Sequence, residues 1–280
     1  MSIRTQTLLI DRLLSFAPQV MSVDGGHITY LQSGAKQISH VLLHGIGSAA
    51  GSWLMQLEAA RARQSAGVLA WDAPGYSGSI GVETLKPDAG DYASKLWAWL
   101  DAMDIRHPIT LVGHSLGALM ATRAAVQQPS RVARLILLAP AQGYAQASAA
   151  DREKRLNDRL MQLALLGPAG LGQQRGAAMV SPHASVELKV YVQMLMSRIL
   201  LPGYTQAAHL LAGGDLLADL AHVHCPITVA SGQQDNATPM ASCQAVAIAA
   251  NTNWIDLGPV GHACALEAAG QVNAILNLTA

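Results

Sequence analysis

The serine within Gly113-His114-Ser115-Leu116-Gly117 carries the strongest chemical signal in the chain. The apolar run Ile109–Val112 precedes it, and an Ala-rich helical pattern, Leu116–Val126, follows. A serine between a strand and a helix occupies a sharp, strained turn. Side chains two positions before and two after would clash there, so glycine suits both places. The hydroxyl then stands at the strand's C-terminal end, against the positive N-terminus of a helix. A hydroxyl is a poor nucleophile near neutral pH and needs a base. Of the ten histidines, His262 is placed to serve. It ends Gly258-Pro259-Val260-Gly261-His262, a loop between the last strand signal and the last helical one, at the same sheet edge as Ser115. The base in turn needs an orienting carboxylate. Asp235 supplies one in Ser231-Gly232-Gln233-Gln234-Asp235, after the strand signal Ile227–Ala230. The segment after Leu135–Leu138 offers no acid, Asp256 lies within a strand, and Asp215 and Asp219 come too early. A developing oxyanion needs N–H donors. Leu116, just after the serine, is one; the loop His44-Gly45-Ile46-Gly47-Ser48 supplies the other, from Ile46 first and Gly47 next. His44 and His114 flank these loops and are expected to serve packing or a backbone hydrogen bond.

The elements that must hold these residues are legible as a regular alternation. Val20–Val23 and His27–Gln32 flank Asp24-Gly25-Gly26, a hairpin signal. Val41–Leu43, Val68–Trp71, Ile109–Val112 and Leu135–Leu138 read as short buried strands, with helical patterns at Ser52–Gln64, Asp91–Met103 and Leu116–Val126 between them. Such short apolar runs alternating with helices imply parallel strands covered on both faces. From about Ala141 to Gly214 only helical patterns occur, broken by Gly167-Pro168, Ser181-Pro182 and Pro202-Gly203. Strands resume at Ile227–Ala230 and Trp254–Leu257, and a last helix spans about Cys264 to Leu276. The expected organisation is a core from residues 1–140 and 215–280, with 141–214 inserted between two sheet strands.

The 280 residues are 51% hydrophobic and 13% charged, with 18 basic and 18 acidic side chains. This describes a core-rich α/β protein with no basic excess to suggest nucleic acid. Mean hydropathy is +0.25. The most apolar stretch, Ile109–Val126, carries His114, Ser115 and Arg123, so a spanning helix is not expected. The stretch Met1–Gln19 holds Arg4, Asp11 and Arg12 and lacks a signal-peptide pattern. Three cysteines, Cys225, Cys243 and Cys264, make no disulfide framework. A cytoplasmic protein without a membrane partner is expected. Charge is uneven: residues 215–280 hold five acids and no Lys or Arg, whereas 141–214 hold seven basic residues against four acids.

Other patterns carry less. Gly45, Gly47 and Gly51 are spaced one residue too long for a dinucleotide fingerprint, so no cofactor is implied. His222-Val223-His224-Cys225 lacks a partner ligand pair, and a loop entering a strand is the better reading than a metal site. Cys264 is expected to be buried. Met161, Met179, Met194 and Met196 fall in the inserted segment, where helical spacing favours core packing over a pocket lining, although a cap can do both. Arg175 and Arg198 are the candidates there to meet a substrate carboxylate.

Taken together, the chain resembles the α/β-hydrolase superfamily across nearly its whole length. His44-Gly45-Ile46-Gly47 resembles the family's oxyanion loop, and Trp71-Asp72-Ala73-Pro74-Gly75-Tyr76-Ser77-Gly78-Ser79 resembles its loop after the following strand. The order Ser115, Asp235, His262 is the one this family uses. Residues 141–214 are similar to the helical cap of the branch holding small esterases, carbon–carbon hydrolases and enol-lactonases. The single residue between Gly45 and Gly47, where some esterases have a triple glycine, disfavours bulky tertiary-alcohol esters. The resemblance implies a serine hydrolase of a small-molecule carboxylic ester or lactone. Its alternatives are hydrolysis of a carbon–carbon bond in a ring-cleavage dienoate, or of an enol-lactone, and the basic inserted segment keeps acidic substrates in view. A ligand receptor on the same fold, binding without turnover, is the alternative of a different class.

Overall fold

The computed structural model describes residues 8–64 and 66–279. Residues 1–7 of the N-terminal stretch, Arg4 among them, lie outside these; the described part of that stretch contributes α1 (Leu9–Leu14) and the start of β1 (Gln19–Val23). A two-residue turn at Asp24-Gly25 joins β1 to β2 (Gly26–Gly34), pairing Val23 with Gly26. Then follow β3 (Ile38–Leu43), α2 (Leu54–Arg63), β4 (Gly67–Trp71), α3 (Ala89–Ala102), β5 (Ile109–His114), α4 (Leu116–Gln127) and β6 (Val132–Leu138). Next come α5 (Ala149–Arg175), α6 (Val186–Ser197), α7 (Leu201–Gly213) and α8 (Leu216–Leu220). The chain ends with β7 (Ile227–Ser231), α9 (Met240–Ala249), β8 (Trp254–Asp256), α10 (Cys264–Glu267) and α11 (Ala269–Ile275).

The strands form one sheet in the order β1-β2-β4-β3-β5-β6-β7-β8. β1 and β2 run antiparallel, and every pairing from β4 to β8 is parallel. This is an α/β-hydrolase fold. Alternate residues of the central strands feed two cores. Val41, Leu43, Leu111, Leu135 and Leu137 face one, with α3 and α4 over them. Leu42, Val112, Ile136 and Leu138 face the other, beneath α2 and the C-terminal helices. Burial on both faces explains why these strands read as continuous apolar runs.

Several elements depart from the sequence reading. The helix expected from Ser52 is a 3₁₀ turn, Ala50–Trp53, before α2 begins. α3 starts two residues early because Asp88 caps it, accepting from Gly90 N and Asp91 N while Asp91 returns a bond to Asp88 N. The single C-terminal helix is two, split at Ala268.

Between β6 and β7 the described chain forms only helical elements and loops. α5 bends at Gly167, whose φ of 62° and ψ of 175° leave helical space just before Pro168. The entry and exit of this stretch touch. A Cβ on Gly143 would stand 2.0 Å from the Gly214 carbonyl oxygen, and φ is +80° there, so only glycine fits. Backbone bonds from Ala145 N to Gly214 O (3.1 Å), Tyr144 N to Leu211 O (3.1 Å) and Leu216 N to Gln142 O (2.9 Å) close the neck.

Candidate active site

β5 delivers Ser115 at its end with φ 54° and ψ −117°, a strained left-handed backbone for a residue with a side chain. The two glycines make this turn possible. A Cβ on Gly113 would lie 2.4 Å from Gly117 O, and one on Gly117 would lie 2.2 Å from Leu43 O. The turn is tied to neighbouring strands' ends by Ser115 N to Leu138 O (3.0 Å) and Ala141 N to Ser115 O (3.1 Å).

Asp235 and His262, on the loops after β7 and β8, meet: His262 Nδ1 donates to Asp235 Oδ2 at 2.8 Å. The other carboxylate oxygen accepts Ala237 N (2.8 Å) and Thr238 N (2.9 Å). Thr238 Oγ1 adds a donor 2.7 Å from Oδ2. Burial pushes the Asp235 carboxyl's pKa up. The imidazole and the Thr238 donors outweigh it and hold the pKa below its ordinary value, so the group stays ionised. With Nδ1 committed, Nε2 is the nitrogen left to work. Ser115 and His262 line the same cavity, of about 470 Å³. No hydrogen bond joins their side chains in this conformation, a looseness common before a substrate binds.

The loop after β3 lies against the serine: a Cβ on Gly45 would be 2.9 Å from Ser115 Cβ. Two side chains orient its peptides. His44 Nε2 accepts Ala73 N–H (3.0 Å), so the proton sits on Nδ1, which donates to Gly45 O (2.8 Å). Tyr76 O–H donates to Ile46 O (2.5 Å). In a trans peptide the N–H points opposite the C=O. The N–H of Ile46 is therefore directed away from His44, and that of Gly47 away from Tyr76. No acceptor among the described residues meets the N–H of Ile46, Gly47 or Leu116. His44 thus makes backbone hydrogen bonds, in line with the sequence reading. His114 does likewise: its Nε2–H donates to the His262 carbonyl at 2.8 Å, and the two rings pack 4.8 Å apart. Burial, then the nearby His262, lowers the His114 pKa to about 3, which keeps it neutral.

Glu267 was not singled out by the sequence. Its carboxylate accepts Gly261 N at 2.8 Å and Ser181 N at 2.9 Å, pinning the histidine loop to the stretch before α6. Thr238 is likewise additional; its only local signal is its place three residues after Asp235. Asp215 caps α8 through Ala218 N (3.1 Å), and Asp219 pairs with Arg123 (2.6 Å). Cys264 is fully buried, which raises its thiol pKa.

The methionine and arginine expectations hold only in part, since Met179, Met194 and Met196 do pack against the two cores. Met179 and Met196 line the cavity, whereas Met161 is 59% exposed. α5 and α6 turn opposite faces of one segment to cavity and solvent, so helical spacing alone does not tell them apart. Arg175 lines the cavity. Arg198 does not; it lines a separate groove beside Asp72 and Tyr76. Arg155 and Arg159, one helical turn apart on α5, line the cavity instead. Among the described residues no three His, Cys, Asp or Glu side chains cluster as a metal site would require, and no helix is long and apolar enough to cross a membrane.

The sequence model of the alpha/beta hydrolase family matches residues 41–275. The chain belongs to that family. It is 28% identical over 240 residues, 83% of this chain and 86% of that protein, to the (E)-2-((N-methylformamido)methylene)succinate hydrolase of Acinetobacter baylyi. Among solved structures it is similar to an enol-lactonase from Burkholderia xenovorans (TM-score 0.80, 17% identity, 93% of this chain and 99% of that one). It is similar also to a thermophilic esterase from Thermogutta terrifontis (TM-score 0.78, 20% identity, 93% and 97%).

Proposed function

We propose that this chain is a serine hydrolase that cleaves a carboxylic ester or lactone through an acyl-enzyme. The observation that carries the reading is Ser115, strained at the end of β5, opening onto the cavity that also holds the Asp235-bonded imidazole of His262. In this mechanism His262 Nε2 takes the Ser115 hydroxyl proton as Oγ attacks the substrate carbonyl. Asp235 holds the Nδ1 tautomer and stabilises the imidazolium. The N–H groups of Leu116 and Ile46, with Gly47 next, receive the oxyanion. The imidazolium then protonates the leaving group, and water activated by His262 releases the acid. The helices of residues 141–214 act as the cap over the site, with residues 1–140 and 215–280 as the core.

A second reading is supported by the relatives, one a hydrolase of an (N-methylformamido)methylene succinate and another an enol-lactonase. On it, the same three residues act on an acid-bearing enol-lactone or on a carbon–carbon bond in a dienoate. Turnover of neutral short-chain esters against a carboxylate-bearing dienoate separates the two.

Ser115→Ala tests the assignment. Loss of p-nitrophenyl acetate turnover by about 10⁴-fold, with loss of fluorophosphonate labelling, is expected. Undiminished turnover would sink it. Labelling of the unaltered protein without turnover across a broad ester panel would favour a receptor.

A further inference from the structure

One wall of the cavity is built from α5, α7 and the stretch leading into α5, and it is cationic. Arg155, Arg159 and Arg175 line it, together with Tyr144 and Tyr204. No carboxylate among the described residues lines the cavity, and none of the three guanidiniums is in an ion pair. Their contacts are neutral. Arg159 Nη1 donates to Tyr204 Oη (3.1 Å), Arg175 Nη1 reaches Gln162 Oε1 at 3.3 Å, and Arg155 lies over the Tyr144 ring at 4.9 Å. Tyr204 Oη accepts from Arg159, so its own proton is left to donate. Arg159 and Arg175 are half-buried, where a permanent cation without an anion is costly and a planar, two-pronged partner relieves the cost.

We propose that this wall is an anion subsite that binds a carboxylate carried by the substrate, with Arg159 and Tyr204 as its centre and Arg155 and Arg175 beside them. The substrate is then a monoanionic ester, lactone or related acid derivative rather than a neutral ester. The fork of a guanidinium matches a carboxylate with two parallel N–H···O bonds. The aliphatic side of the cavity, with Leu171, Val192 and Met196, accommodates the chain between the carboxylate and the reacting carbonyl. The position of the bond rests on the Ser115 reading above; the anion subsite itself does not.

The test compares mono-p-nitrophenyl glutarate with its neutral methyl ester, on the unaltered chain and on Arg159→Gln and Arg175→Gln. The expected result is a kcat/KM at least about 10-fold higher for the monoanion. Arg159→Gln should shrink that preference about 10-fold, mainly through KM, as loss of a charge-assisted bond does. Equal use of both esters, or a preference unchanged in both variants, overturns the proposal. If Arg159→Gln does not unfold cooperatively, Arg175→Gln carries the comparison. Should neither ester turn over and Ser115 resist fluorophosphonate, the hydrolase reading fails, and the subsite is tested by calorimetry with glutarate. A Kd weakened about 10-fold in Arg159→Gln or in Arg175→Gln then supports it, and an unchanged Kd in both overturns it. Tighter binding of inorganic phosphate than of glutarate overturns the carboxylate assignment.

Discussion

Asp235 is the residue whose surroundings say most about pH. Thr238 bonds help hold its pKa below the ordinary carboxylate value of 3.8. A carboxylate whose pKa is lowered on folding adds stability that is present above its unfolded pKa and lost as pH falls through the folded one. Thr238→Val should raise the folded pKa and cost roughly 1–2 kcal/mol above about pH 4. The deficit should shrink as pH falls from about 4 through the folded value and change no further below it. Thermal unfolding of both proteins from pH 2.5 to 7 checks this; a gap independent of pH contradicts it. Ser115, Asp235 and His262 are legible as candidates because each sits in a short motif beside a strand. Thr238 and Arg159 are not, because their meaning depends on what lies across the cavity. Arg155 and Arg159 did carry a local clue, an i, i+4 pair on one helix face, which the Arg175 and Arg198 expectation passed over.

At the scale of elements, two junctions set the site's geometry. The turn from β5 into α4 has no room at Gly117, so Gly117→Ala should lose about 3 kcal/mol or more. A denaturant midpoint near that of the unaltered protein would show that the Leu43 backbone can yield. The second junction is the Glu267 clamp. Glu267→Ala frees the Gly261 and Ser181 amides and should cost about 2 kcal/mol, with faster hydrogen exchange at both. Unchanged exchange at Gly261 would mean that the His114 bond to the His262 carbonyl suffices. The strands were legible because burial on both faces leaves a dense apolar run. α9 was not: in Met240–Ala249 only Ser242 and Gln244 are polar and Ile248 is 79% exposed, so no periodic polar face marks it.

Across the whole molecule the formal charge is zero, yet it is distributed unevenly. The basic stretch of residues 141–214 brings arginines to the cavity, and the acidic C-terminal stretch buries its key carboxylate behind His262. Such a separation draws anions toward one side even without net charge. For a monoanionic ester, kcat/KM should fall as NaCl rises from about 20 to 500 mM, while the value for its neutral methyl ester stays nearly flat. Parallel salt curves for the two would rule out long-range attraction, leaving only short-range contact at the wall.

The neck at Gly143 and Gly214 has a consequence for how such a protein diversifies. A loop that departs and returns through one point imposes no distance on the strands it interrupts. Its length, helix count and bend are free variables as far as the sheet is concerned. On the function proposed above, chemistry and choice of substrate lie in separable stretches of chain, and an exchange of one for another must preserve the pair of glycines together with the Glu267 bond to Ser181.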